Sequence, residues 1–246
     1  MLTSVGALIV GAAIIAFAGG IFGGGPRALE SPPTSYSGIA VNGASLGSPT
    51  APVVMEVFSD FQCPACKLFV VTELPSLLTD FVRPGFVRIE PRDIDILDRG
   101  SSSESLDLAA GAFCAGEQGR YWEYHDVVFW NQGRENRGDH NADFIARVAT
   151  AVPLDRAAFD ACYARTDIRQ PVKDLTARAA AEGIKATPTL RINGELVTGV
   201  PAYADLSSYL TRLLATTSST PISSNPPSPT LAPQAKPAST AVPAAS

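Results

Sequence analysis

Charge is scarce in this chain, and at both ends it nearly vanishes. No charged side chain occurs between Leu2 and Phe22, and after Ala215 the only one is Lys236. Charged residues make up 17% of the 246, the formal net charge is −5, and no basic block occurs. That excludes a nucleic-acid surface built on clustered Lys and Arg. Histidine is limited to His125 and His140. Neither stands at a zinc-ligand spacing from the cysteines, so no metal and no cofactor is expected. No internal repeat is visible, which argues against a solenoid. Cysteine is limited to four residues: Cys63 and Cys66 form a CxxC, while Cys114 and Cys162 stand apart. A remote second pair favours an oxidising compartment.

The ends divide the chain into segments. Residues 1–25 carry an apolar run close to the ~20 residues that a membrane-spanning helix needs. It reads as a transmembrane signal-anchor, with a cleaved signal peptide as the rival because Ala16-Phe17-Ala18 has the A-x-A form. No Lys or Arg precedes the run, and Arg27 follows it. Loop charge alone would keep the domain inside, but long domains translocate largely regardless of it. The cysteine chemistry therefore decides for the extracytoplasmic side. Residues 26–44 are rich in Gly, Ser and Pro and read as a linker. Residues 45–214 form the folded domain. Residues 215–246, mostly Pro, Ser, Thr and Ala, cannot bury enough apolar surface to fold and read as a disordered tail.

The domain is organised around Phe58-Ser59-Asp60-Phe61-Gln62-Cys63-Pro64-Ala65-Cys66-Lys67. The apolar run Val53 to Phe58 before it predicts a strand. Val71, Leu74, Leu77, Leu78 and Phe81 after it, at spacings of three and four, predict a helix that Pro75 kinks. Pro64 suits the first helical position, because its missing N–H would have had no partner there. The Cys63 sulfur then faces the unpaired N–H groups of a first turn, which favour a thiolate. Cys66 follows one turn later, close enough to bridge back. Half of a zinc site, or a structural disulfide, would use the same spacing; the strand–turn–helix setting favours redox chemistry.

Further elements follow in order. Phe86 to Glu90 reads as a strand, and Ser101 with Glu104 as a capping box. Helices are expected from there to Cys114, over Tyr121 to Trp130, Ala142 to Val152 and Leu154 to Arg165, and over Asp167 to Glu182. Thr189 to Ile192 and Glu195 to Val200 are strands joined by the hairpin signal Asn193-Gly194. Tyr203 to Leu214 is a last helix. Cys114 and Cys162 each lie on an apolar helix face. Two buried free thiols or a structural disulfide both fit; the disulfide is favoured. Asp60 could orient the active-site turn or simply be an exposed turn carboxylate.

This ordered set resembles the DsbA-like thiol–disulfide oxidoreductases of the thioredoxin superfamily. The motif around Cys63, the segment Cys114 to Asp126, and Thr187-Pro188-Thr189-Leu190-Arg191-Ile192-Asn193-Gly194 carry the likeness. It implies an α/β thioredoxin fold with an inserted helical subdomain over about residues 101–182. It implies Cys63 as the exposed nucleophile and Cys66 as its buried partner. It implies Pro188 as a cis-proline facing the disulfide, with the Thr187 backbone binding substrate as an added strand. Relatives often carry a glutamate six residues before the first cysteine; here that position is Val57, and the neighbouring Glu56 should face away from it. The implied activity is the introduction of disulfides into unfolded or cysteine-containing secreted proteins. The implied partner is a quinone-linked membrane thiol oxidase, DsbB-like or vitamin K epoxide reductase-like. A reductase or isomerase of the same fold, or a tethered binding or chaperone module with a structural CxxC, are the alternatives.

Overall fold

The computed structural model describes residues 28–218. The apolar run Leu2 to Phe22 and most of the Pro/Ser/Thr/Ala tail lie outside the described residues. Among those described, no helix is long and apolar enough to cross a membrane.

A six-stranded mixed sheet carries the domain, in the order β1-β2-β4-β3-β5-β6. The strands are β1 (Val41–Asn42), β2 (Ser45–Leu46), β3 (Val53–Ser59), β4 (Val87–Asp93), β5 (Thr189–Ile192) and β6 (Glu195–Thr198). β3 pairs parallel with β4 and antiparallel with β5, so it lies at the centre. Val53, Met55 and Val57 are buried on one of its faces, as side-chain alternation requires. The β1–β2 pair is a short antiparallel hairpin whose first strand lies inside the stretch expected as a linker. Asn193 and Gly194 both take positive φ, 47° and 98°, which is the backbone a tight two-residue hairpin needs.

One long helix crosses from β3 to β4. It consists of α1 (Pro64–Leu68), a π turn (Phe69–Glu73), α2 (Leu74–Leu77) and a second π turn (Leu78–Val82). Pro75 falls at the start of α2, directly after the first π turn. The missing Pro75 N–H thus coincides with a local widening of the helix, not with a break. Because β3 enters this helix, the C-terminal end of β3 is the pole that carries Cys63. The β5–β6 turn and Arg83 lie at the opposite pole: Asn193 Oδ1 accepts from the Val54 N–H at 3.0 Å, at the start of β3.

The inserted subdomain comprises α3 (Glu104–Gly116), α4 (Tyr121–Trp130), α5 (Ala142–Ala151), α6 (Arg156–Tyr163), a 3-10 turn (Asp167–Arg169) and α7 (Gln170–Ala181); α8 (Tyr203–Ser218) is the last of the described helices. Gly111 on α3 lets α4 approach, since a Cβ there would lie 2.2 Å from the Tyr124 hydroxyl. Cys114 on α3 and Cys162 on α6 are joined by a disulfide, with their Cα atoms 5.7 Å apart. The Ser101–Glu104 capping box does not form. Asp98 instead accepts from the first-turn N–H groups of Ser105 (2.9 Å) and Leu106 (3.1 Å). Glu104 turns outward to accept from the Gly138 and His140 N–H groups at 2.9 and 3.0 Å. A carboxylate from outside the helix has replaced the local cap.

The stretch expected as a linker is pinned along α4 from residue 28 onward. Glu30 N–H donates to Asn131 Oδ1 at 2.7 Å, and Asn131 Nδ2 donates back to the Glu30 carbonyl at 2.8 Å. Tyr36 donates to Asp126 Oδ2 at 2.7 Å and packs its ring 5.5 Å from that of Trp122. Arg83 donates to the Ser35 carbonyl at 3.1 Å and also to that of Ser37. Leu29, Tyr36 and Ile39 pack against the core, which is what offsets the ordering of a Gly/Ser/Pro-rich stretch.

The disulfide closes a separation of 48 residues, for which chain entropy alone gives about 4 kcal/mol of restraint on the unfolded chain. A Cys114→Ala/Cys162→Ala variant should therefore unfold at clearly lower temperature by calorimetry, while its Cys63–Cys66 pair exchanges at the wild-type rate.

Candidate active site

Cys63 is the N-cap of α1, with an extended backbone (φ −74°, ψ 118°) and Pro64 opening the helix. Its sulfur is held by the Cys66 thiol first, then by the Thr187 side chain and, more weakly, by the N–H groups of Cys66 and Ala65; these overcome burial and bring its pKa from 9.0 down to about 6. The same sulfur lies 3.2 Å from the Thr187 carbonyl oxygen. Cys66 is pushed the other way, well above 9.0, by burial first and then by its bond with, and the charge of, Cys63. Ser59 and the Asp60 N–H reach the Cys66 sulfur and partly counter this. Two thiols of opposite tendency thus sit one helical turn apart. Neither is widely open: Cys63 is 6% exposed and Cys66 1%. The exposure expected of Cys63 is narrower than the sequence suggested, because Thr187 and the cis peptide to Pro188 lie against it.

The loop before Cys63 is clamped from two sides. Gln62, fully buried, donates from Nε2 to Asp98 Oδ1 at 3.0 Å and to Ser105 Oγ at 2.8 Å, and its Oε1 accepts from the Asn136 N–H at 2.7 Å. Asp60 is also fully buried, not exposed in a turn. It accepts from the Gln62 N–H (2.9 Å), Ser105 Oγ (2.6 Å) and the Leu97 N–H (2.9 Å). Burial nevertheless raises its carboxyl from 3.8 to about 7, with Asp98 nearby adding to the effect. From the other side Gln132 Nε2 donates to the carbonyls of Phe61 at 2.8 Å and Cys63 at 3.1 Å. Gln62, Ser105 and Gln132 carry no sequence signal of this role, since each partner lies dozens of residues away.

Glu56 points to the face opposite Val57 and pairs with Arg92 at 2.8 Å and with Arg191. Burial would raise its carboxyl, but the two guanidinium groups outweigh that and hold it low. Glu56 therefore lies away from the cysteines. The acid on their side of the sheet is Asp93, the register partner of Ser59. Burial raises it to about 6, and Tyr121 donates to both its oxygens at 2.9 Å. His125 bonds Asp126 at 2.9 Å among aromatic rings, and His140 is buried between Glu104 and the Gly133 N–H. Both histidines have structural partners.

A sheet entered by a CxxC helix, with a cis-proline turn against the first cysteine, is the layout of a thioredoxin-type protein. A family model described as thioredoxin matches residues 40–212, and the chain belongs to that family. Within it the chain is a DsbA-like thiol–disulfide oxidoreductase. It is 28% identical over 155 residues to a protein named probable disulfide bond formation protein D of Bacillus cereus, covering 62% of this chain and 70% of that one. It is 22% identical over 185 residues to disulfide bond formation protein D of Bacillus subtilis, covering 69% and 76%. The solved structure of oxidised BdbD from Bacillus subtilis shares the fold, with a TM-score of 0.62 at 19% identity, covering 77% of this chain and all of that one.

Two outcomes are expected. In the reduced protein, alkylation of Cys63 should titrate near pH 6, far below that of Cys66. A depressed thiol pKa stabilises the fold above its unfolded value near 9, and that stability is lost as pH falls through 6. The reduced form should therefore lose stability between pH 9 and 6 relative to the oxidised form, in denaturant titrations of both. Separately, Gln62→Ala leaves buried partners unpaired, at a cost of about 1–3 kcal/mol, measured as a lower urea midpoint with an unchanged slope.

Proposed function

We propose that the chain introduces disulfides into secreted proteins by dithiol–disulfide exchange at Cys63 and Cys66, outside the cytoplasm and anchored by Leu2 to Phe22. The observation that carries this reading is the sulfur of Cys63. It is stabilised as a thiolate by Cys66 and the first helical turn, beside the Thr187 carbonyl.

In the oxidised protein a substrate thiolate attacks the Cys63 sulfur. The Cys63–Cys66 bond breaks, the electron pair leaves on Cys66, and that thiolate takes up a proton, as its raised pKa favours. The Thr187 backbone pairs with the extended substrate and holds its sulfur in line. A second substrate thiolate then attacks the first substrate sulfur. Cys63 departs as a thiolate, the substrate gains a disulfide, and the protein pair holds the two electrons. A well-stabilised leaving thiolate makes the reduced form favourable, which supports the oxidising direction. Reoxidation falls to a quinone-linked thiol oxidase in the membrane. The Cys114–Cys162 disulfide supports an oxidising compartment.

Cys63→Ser should abolish oxidation of a dithiol peptide. Cys66→Ser should accumulate mixed disulfides, visible as higher-mass bands on non-reducing gels. Faster alkylation of Cys66 than of Cys63 in the native reduced protein would contradict the assignment.

A further inference from the structure

The strap over residues 28–40 joins opposite poles of the domain. It starts beside the redox site. Ala28, Leu29 and Glu30 line one side of a cavity of about 480 Å³, and Lys67 and Gln132 line the other. Both of those residues donate to the Cys63 carbonyl, the Lys67 N–H at 3.1 Å and Gln132 Nε2 at 3.1 Å. The adjacent residues Asn131 and Gln132 thus hold the strap and the redox loop respectively. From there the strap runs back along α4 to residues 35–37, where the Tyr36 hydroxyl reaches Asp126 and the carbonyls of Ser35 and Ser37 accept from Arg83 of the far pole. Only then does it enter β1.

We propose that this strap turns the redox pole toward the lipid surface of the membrane that anchors the chain. The inference rests on the anchor reading above. Only Gly23 to Arg27, five residues, separate the apolar run from Ala28. At no more than 3.6 Å per residue, Ala28 stays within about 22 Å of the end of that run. Cys63, across one cavity from Ala28, is held close to the bilayer with it. A free linker would give the opposite result. The first fixed point would then be near Gly38, against Arg83, and the far pole would be the one tethered. The docked strap therefore moves the attachment point across the length of the domain. The surface so presented comprises the start of α1 and the loop 131–139. Its partners must bring their thiols, or their oxidant, to the level of the lipid headgroups.

The test uses the full-length chain in phosphatidylcholine nanodiscs containing a headgroup-photoreactive phosphatidylcholine, with tagged peptides mapped by mass spectrometry. Tags are expected on residues 64–68 and 131–139, and not on 83–86 or 193–194. A Tyr36→Ala/Arg83→Ala/Asn131→Ala variant, which frees the strap, should lose this bias while still oxidising a soluble dithiol peptide. Tags concentrated at the far pole, or a bias unchanged in the variant, would overturn the inference and leave the exchange mechanism standing. Failure of the chain to enter nanodiscs would overturn the anchor reading, and this inference with it.

Discussion

The contact between the Cys63 sulfur and the start of its helix is the constraint on which the rest of the arrangement depends. A thiolate needs positive partial charge and donors, and the first turn of a helix supplies both. For those donors to act, the loop from Asp60 to Cys63 must be fixed to a fraction of an ångström. The protein achieves this with polar groups: the buried Gln62 and Asp60, and the half-buried Gln132 on the other side. Such groups are costly to bury unless every donor finds an acceptor. Here the Gln62 side chain has both its N–H groups and its oxygen engaged.

The helical insert follows from the same need. Its α3 begins where Asp98 and Ser105 meet, so the first turn of α3 and the redox loop share one hydrogen-bond network. The loop 131–140 closes the other side through Asn136 and Gln132. The insert thus supports the thiols through this network. The disulfide between α3 and α6 ties this support together at its far end.

Much of the fold was legible because its signals are local. The spacing of Val71, Leu74, Leu78 and Phe81, the Asn193-Gly194 turn and the apolar run before Cys63 each act within a few residues. Helix α4 and strand β5 start and end where periodicity placed them. The capping of α3 was misread because its acceptor, Asp98, lies outside the four-residue window in which a capping box works. The strap was read as a linker because its composition is that of one; it is ordered by Asn131, Asp126 and Arg83, which are remote in sequence. At the site, the cysteines and the helix start carry their own signal. Gln62 carries none, since its partner Asn136 is 74 residues away. Thr187 and Pro188 were placed by resemblance alone, because no local pattern announces a turn that meets a sulfur 124 residues earlier.

A stabilised Cys63 thiolate lowers the free energy of the reduced pair and so raises its potential, whereas a buried, inert disulfide does the reverse. The equilibrium between the Cys63–Cys66 pair and a glutathione redox series tests this most directly. The account predicts a potential between about −270 and −120 mV, in the range of exchange-active CxxC proteins. A value below about −300 mV, the range of structural disulfides, would contradict it.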